Sequence, residues 1–416
     1  MLDTLLQHLR QLLAIPDLWK YVSIPFVAAV VGWATNWVAI KMTFQPLEFV
    51  GRKPFLGWQG IIPSKAEKMA STFVDSTMAR LGSLPEVFEE MHPPTIAEHI
   101  NRSLRPRIGE LTDEVMLRDN AVLWENLPGL VKDQIYFQVG RSLPRLVDRL
   151  MDDVSERVED LVDLKHMITT RLVDDKALLN RLFLESGEAE FRFIVRSGFY
   201  FGFLFGLVQL AVWIVYPAWW VLPVFGLIVG WATNWIALNV IFRPLYPVRV
   251  GPWRFQGLFL KRQAEVAAVW CGIVTREIFT IRQLVHSMLN GPRSERSRTL
   301  IKQHIKPIVD EAVGAVRPVA QLAVGPRGFA EIKEAVGEVA VEVSPAPFDN
   351  YLFNRDRGQV VDRFLRERMQ AMPPDQFQDL LRPCFQEDEM KLILIGAVLG
   401  FLAGLAQLML VFGGFG

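Results

Sequence analysis

Three stretches of this chain carry no Asp, Glu, Lys or Arg: Tyr21–Ile40, Ser197–Phe242 and Leu392–Gly416. The hydrocarbon core of a bilayer is about 30 Å thick and takes roughly 20 apolar residues per helix. The first and last stretches each suit one crossing. The middle one is long enough for two and is divided at Tyr216-Pro-Ala-Trp-Trp220, where proline breaks the helix and the rings suit the membrane–water boundary. The pattern predicts transmembrane helices over 21–43, 196–216, 218–242 and 391–412.

Elsewhere the apolar residues keep helical spacing but alternate with charge. Leu146, Val147, Leu150, Val154, Val158 and Leu161 form one such stripe, and Leu300, Ile301, Ile305, Ile308, Val309 and Ala312 another, which predicts amphipathic helices over 143–164 and 298–316. Regions 44–195 and 243–390 therefore read as helices in water, punctuated by Pro93-Pro94 and Pro373-Pro374. No alternating strand pattern stands out. Ser64-Lys-Ala-Glu67 has the spacing of a capping box and predicts a helix start. Residues 1–20, with Leu2, Leu5, Leu6, Leu9, Leu12 and Leu13, predict an amphipathic helix lying on the membrane surface. The apolar run after it is too long for a cleaved signal peptide.

The chain also repeats itself. Val31-Gly-Trp-Ala-Thr-Asn-Trp-Val-Ala-Ile40 returns as Val229-Gly-Trp-Ala-Thr-Asn-Trp-Ile-Ala-Leu238, a shift of 230 − 32 = 198 residues between Gly32 and Gly230. Gly202-Phe-Leu-Phe-Gly-Leu-Val-Gln-Leu210 returns as Gly400-Phe-Leu-Ala-Gly-Leu-Ala-Gln-Leu408 with the same shift. A fixed period is the mark of one unit written more than once. Small residues recur every fourth position in each predicted span: Ala28, Gly32 and Asn36; Gly198, Gly202 and Gly206; Gly226, Gly230 and Asn234; Gly396, Gly400 and Gly404. Such faces let helix backbones touch in lipid, where close packing holds helices together. The expected fold is an all-α integral membrane protein of two tandem parallel repeats. It has four transmembrane helices in a bundle with a pseudo-two-fold axis along the membrane normal, and two extended amphipathic helical regions on one side. Pairing between those two regions is plausible on this pattern.

Composition fits the same class, with 51% hydrophobic residues and a net charge of +0. A neutral balance argues against a nucleic-acid binder. Basic residues near the span ends, among them Lys41, Arg181, Arg192, Arg196, Arg243 and Lys391, gather on the side of the helical regions and predict that side to be cytoplasmic. Cys271 and Cys384 are the only cysteines and read as buried thiols rather than a disulfide or metal set.

Thr35, Asn36, Thr233 and Asn234 are polar residues of the repeated motif that lie within the predicted spans. At membrane depth such groups either line a path or fix helix packing. Without an intramembrane carboxylate or cation beside them, packing is the better reading, with the two amides bonding across the pseudo-two-fold. After each Phe-x-Pro-Leu comes an irregular stretch rich in aromatic and basic residues. Arg52, Lys53, Lys65 and Lys68 in one unit, and Arg249, Arg254, Lys261 and Arg262 in the other, could hold lipid phosphates or anchor the interface. Glu190-Phe-Arg and Glu389-Met-Lys read as local charge pairs at the membrane edge. His92 and His99 lie near Glu89, Glu90 and Glu98 but lack metal-ligand spacing, and no phosphate loop, nucleophile elbow or dinucleotide fingerprint appears. No enzyme, cofactor or metal is expected.

Gly32, Thr35, Asn36, Trp37 and Ala39, followed by Phe44, Pro46, Gly60, Ile62, Pro63 and Lys65, resemble the opening motif of the YheB/YjiN-like bacterial membrane proteins, a domain of unknown function. The closing Gly-x-x-x-Gly-Leu-x-Gln-Leu is similar as well. Gly60-Ile-Ile-Pro-Ser-Lys65 departs slightly from the family's run, and Gly257-Leu-Phe-Leu-Lys-Arg262 lacks its proline. The resemblance implies a bacterial inner-membrane location and helical regions between spans, and it implies no activity. The expected function is a non-enzymatic envelope scaffold or lipid-contacting module. Its partners would be membrane lipids, with room for a protein bound through the helical regions or for a homo-oligomer. The alternative is a transporter or lipid-transfer conduit with Asn36 and Asn234 lining a polar path at the repeat interface.

Overall fold

The computed structural model describes residues 18–52, 56–314, 317–379 and 389–413, most of them helical. The surface helix expected over 1–20 falls almost wholly outside the described residues, as do Lys53 and Cys384. Four helices are long and apolar enough to cross a membrane: span 1 (Leu18–Phe44), span 2 (Glu188–Val215), span 3 (Val221–Phe242) and span 4 (Glu389–Val411). Span 2 starts well before the charge-free run. Gly187 opens the helix, and Glu188, Glu190, Arg192 and Arg196 all lie on it, because nothing in those residues breaks a helix at the membrane edge.

The chain divides into two compact units. One takes Met1–Ser76, Leu172–Trp270 and Gln370–Gly416, and the other Thr77–Arg171 and Cys271–Met369. All four spans belong to the first unit. Span 1 packs along span 2 and span 3 along span 4, while span 2 meets span 3 and span 1 meets span 4. Near the connection between spans 2 and 3, Ile24, Trp213, Val221, Leu222 and Leu408 close a buried apolar cluster.

The stretches after spans 1 and 3, expected to be irregular, are β-hairpins. β1 (Val50–Arg52) pairs antiparallel with β2 (Leu56–Trp58), and β3 (Val248–Val250) with β4 (Trp253–Phe255). Three-residue strands are too short to show alternation along the chain. Each hairpin is tied back to its span in the same way. The Gly60 N–H donates to the Pro46 carbonyl at 2.9 Å and that of Gly257 to Pro244 at 3.0 Å. Both positions need glycine, since a Cβ on Gly60 would stand 2.7 Å from the Phe44 carbonyl carbon, and one on Gly257 2.7 Å from the Ile241 oxygen. The capping box expected at Ser64 is not made. Ile61–Ser64 already forms a helical turn, and the Ser64 hydroxyl donates back to the Ile61 carbonyl at 2.7 Å. A capping box does form further on, between Ser83 and Glu86.

In the second unit the two helical regions share one body. Its described helices include α1 (Leu84–Glu90), α2 (Pro93–Leu104), α3 (Ile108–Asn126), α4 (Gly129–Leu161), α5 (Ile281–Asn290), α6 (Ser294–Val313) and α7 (Arg317–Val343). α4 buries Leu146, Val147, Val154, Val158 and Leu161 of the stripe read from sequence, together with Met151. α6 packs against both α4 and α7, and α1 and α2 against α4. Polar contacts cross between the regions: the Ser142 hydroxyl donates to Glu311 at 2.6 Å, and His304 Nε2 meets Asp153 at 2.7 Å. Within this body lies an apolar cavity of about 420 Å³.

Candidate functional site

The small-residue faces meet in two seams. A Cβ on Gly32 would stand 2.3 Å from the Gly198 carbonyl oxygen, and one on Gly198 2.3 Å from that of Gly32. One turn along, a Cβ on Gly202 would stand 2.5 Å from the Ala28 oxygen. Spans 3 and 4 show the same contacts 198 residues later: Gly230 against the Gly396 oxygen at 2.1 Å, and Gly226 against that of Gly400 at 2.3 Å. A side chain at any of these points would overlap the facing backbone, so the helices pack in direct contact.

Asn36 and Asn234 lie one turn beyond Gly32 and Gly230 on the same faces, and this decides their partners. The Asn36 amide donates to the Ile194 carbonyl on span 2 at 2.7 Å, and Asn234 to the Leu392 carbonyl on span 4 at 2.9 Å. Both residues are buried. The expectation that the two amides bond to one another is therefore corrected: each bonds within its own pair of spans, because its helix face points along that seam. Thr35 donates to the Gly32 carbonyl at 3.2 Å and Thr233 to that of Val229 at 2.8 Å, so both hydroxyls are spent on their own helices.

The same motif has an outer face. Trp33 and Trp37 stack at 6.4 Å, and Trp231 and Trp235 at 6.0 Å. All four are exposed. Lys41 sits over the Trp37 ring, 5.0 Å from its centroid. One ten-residue motif thus supplies a seam through Gly and Asn and a lipid-facing aromatic pair through Trp.

The predicted basic residues separate in the structure. Arg52, Lys68, Arg249, Arg254 and Lys261 are exposed, while Lys65 and Arg262 are half-buried. Arg249 and Arg254 are directly opposite in the second hairpin, which puts their side chains on one face of the ribbon. Tyr246, Val248 and Phe255 beside them are exposed as well. In the first hairpin the directly opposed pairs are Val50–Trp58, Gly51–Gly57 and Arg52–Leu56, so no like-charge pair forms there among the described residues.

Arg262 does something the sequence reading missed. Its Nη1 donates to both carboxylate oxygens of Glu190 at 2.9 Å, and its Nε to Glu265 at 2.8 Å. The Glu190 side chain is only 3% exposed. Burial costs the guanidinium, but the Glu265 and Glu190 carboxylates outweigh that cost and hold its pKa above the usual arginine value. Arg192, expected as the local partner of Glu190, pairs with Glu188 one turn away. The signal that could have found the long-range pair is faint: a carboxylate beside the first apolar turn of span 2 must find a cation if it is to be buried.

The other candidate chemistry is structural. His99 Nε2 lies 2.8 Å from the Pro347 carbonyl, and its ring stacks on Phe353 at 3.7 Å. His92 sits before α2 with φ 54. Among the described residues no group of three or more His, Cys, Asp or Glu side chains is placed to hold a metal ion. Cys271 is buried, and burial, with Asp362 adding, pushes its thiol up to about 12.

No family model matches the chain, and no solved structure matches it. Curated proteins resemble it in part. A UPF0754 membrane protein from a Nostoc species is 29% identical over 134 residues, 31% of this chain and 31% of the relative. One from Microcystis aeruginosa is 35% identical over 69 residues, 16% of this chain and 17% of the relative. One from Nostoc punctiforme is 26% identical over 171 residues, 38% of this chain and 40% of the relative. The chain thus spans well under half the length of these relatives. Their names describe membrane proteins and state no activity, and with four apolar helices this chain is likewise an all-α membrane protein.

Proposed function

We propose that this chain is a non-enzymatic, multi-pass protein of the bacterial inner membrane that contacts anionic lipid headgroups and serves as an envelope scaffold. On this reading one gene segment was duplicated. Several contacts recurring 198 residues apart support the duplication, namely the glycine seams, the Asn36 and Asn234 bonds and the tryptophan pairs. The basic residues flanking the spans support a cytoplasmic placement of the helical regions.

The observation that carries the lipid contact is Arg249 opposite Arg254. Like charges directly across a ribbon repel, and neither arginine has an ion pair among the described residues. An anion between them would relieve the repulsion. Because the hairpin follows span 3 directly and exposes Tyr246, Val248 and Phe255, that anion is a headgroup phosphate. The hydrogen bonds of Asn36 and Asn234, both made along the seams, favour packing over a polar path.

The test is lipid enrichment around the full chain in nanodiscs of mixed phosphatidylglycerol and phosphatidylcholine, read with spin-labelled lipids. Wild type should prefer the anionic lipid. Arg249→Ala with Arg254→Ala should lose up to roughly thirty-fold in that preference, at about 1 kcal/mol for each of the two basic residues near the surface. Equal association of both lipids with wild type would end the reading.

A further inference from the structure

The cavity of the second unit has a lining whose chemistry selects one class of occupant. Its volume is about 420 Å³. Its wall follows α4 from Val131 to Val154, which at 1.5 Å per residue is about 35 Å of helix. An extended peptide is a poor fit, since each residue would bury a backbone donor and acceptor that need partners. No charged side chain lines the cavity. Of its hydroxyls, Thr112 and Ser344 already donate to the Ile108 and Val341 carbonyls. Ser297, buried and without a hydrogen-bond partner, is the remaining one.

Burial changes along the cavity's length. At one end Ile96, Ile281, Leu284 and Val154 are at most 6% exposed. At the other, the wall passes Leu127 and Val131 at the turn between α3 and α4. Val122 near the end of α3 and Leu130 at the start of α4 are 79% and 85% exposed, and Phe137 is 62% exposed. An apolar rim beside an apolar cavity marks the side from which an apolar ligand arrives. Lys132 stands over the Trp124 ring at this end, 5.3 Å from its centroid.

We infer that this cavity binds a single acyl chain, inserted tail first from the turn between α3 and α4. Its wall is apolar and uncharged, it lacks the polar groups that water or peptide would require, and it belongs to a protein whose four apolar helices place it among lipids. A free fatty acid and one chain of a phospholipid share this chemistry. The inference rests on the membrane reading above but not on the Arg249–Arg254 pair. Loss of anionic-lipid preference with cavity binding intact would count against that pair alone.

The experiment uses the full chain in phosphatidylcholine nanodiscs with two photoactivatable probes in separate arms, a diazirine-bearing palmitate and a diazirine-bearing phosphatidylcholine. Cross-linked peptides are mapped by mass spectrometry. Peptides covering 131–154 and 297–312 should be labelled, and the arm that labels them identifies a free acid or a phospholipid chain. Excess unlabelled lipid of the same kind should displace the label. Leu146→Trp and Ala340→Phe, which fill the cavity, should lose about ten-fold in labelling while melting no lower than wild type, since two groups cannot share a close-packed volume. Should either variant fail to fold, competition in wild type still decides. Labelling confined to the four spans would assign the cavity to a protein segment and overturn the inference, as would cavity labelling that neither competition nor filling reduces.

Discussion

Arg262 grips both carboxylate oxygens of Glu190, 72 residues earlier in the chain, at 2.9 Å. The carboxylate is buried and the guanidinium partly exposed, so removing Arg262 strands the Glu190 charge at the start of span 2, whereas removing Glu190 leaves Arg262 paired with Glu265. Arg262→Met should destabilise the protein by about 3 kcal/mol, the low end for breaking a buried pair, and Glu190→Met by less, since Arg262 keeps Glu265. Replacing both with methionine should cost less than the sum of the two. Thermal melts of the detergent-solubilised chain, arranged as a double-mutant cycle, measure this.

The seams predict an asymmetry among glycines. Gly198→Val pushes a side chain into the Gly32 backbone, and Gly396→Val into the Asn234 side chain and the Gly230 backbone; each should cost about 1–3 kcal/mol or more by overpacking. Gly109 and Gly272 are helical with nothing within 4 Å of a Cβ. Alanine at either should stabilise by about 0.5–1 kcal/mol. Melting temperatures of the four variants place them on opposite sides of wild type.

Asn36 and Asn234 bond to different carbonyls, on spans 2 and 4. Their replacement by alanine should therefore act independently. Each should cost about 0.6 kcal/mol and at most ~2 kcal/mol, and the double variant should equal the sum. A double variant no worse than either single one would mean that the amides bond to each other.

The Tyr136 hydroxyl and the Trp124 indole N–H both donate to Asp113. Burial, then the hydrogen bond to Asp113 and its charge, push the tyrosine up to about 12 from 10.0. A folded-state pKa above the unfolded one stabilises fully below the unfolded value and is lost as pH rises through the folded one. The contribution should thus hold to pH 10.0 and fade toward about 12. Tyr136→Phe should flatten that part of the stability profile, read by denaturation across alkaline pH.

Cys271 should behave as an inert apolar residue. With its thiol pushed up to about 12, Cys384→Ser protein should take up maleimide only on unfolding when treated at about pH 8, since the thiolate is the reactive form. Prompt labelling of the folded protein at that pH would contradict its burial.

Much of the first unit could be read along the chain. Charge-free runs lie where the four apolar helices lie, and the four-residue spacing of Gly32 and Asn36 puts them on one face with Trp33 and Trp37 on another. Those are local properties, set by the helical period and by the chemistry of each side chain. The hairpins were not legible, because three-residue strands carry too little pattern. Nor was the partner of Glu190, since Arg192, only two residues on, looks closer in sequence yet points to a different side of the helix.

The sequence by itself determined which segments suit lipid, which faces are small enough to touch and which positions carry polar groups. Only the tertiary structure decided what those groups meet: Ile194 and Leu392 for the amides, Arg262 for Glu190, and a common apolar cavity for stripes as far apart as Leu146 and Ile305. The reason is physical. Periodicity and composition act over one or two helical turns, whereas a partner 72 or 158 residues away is chosen by how whole helices pack.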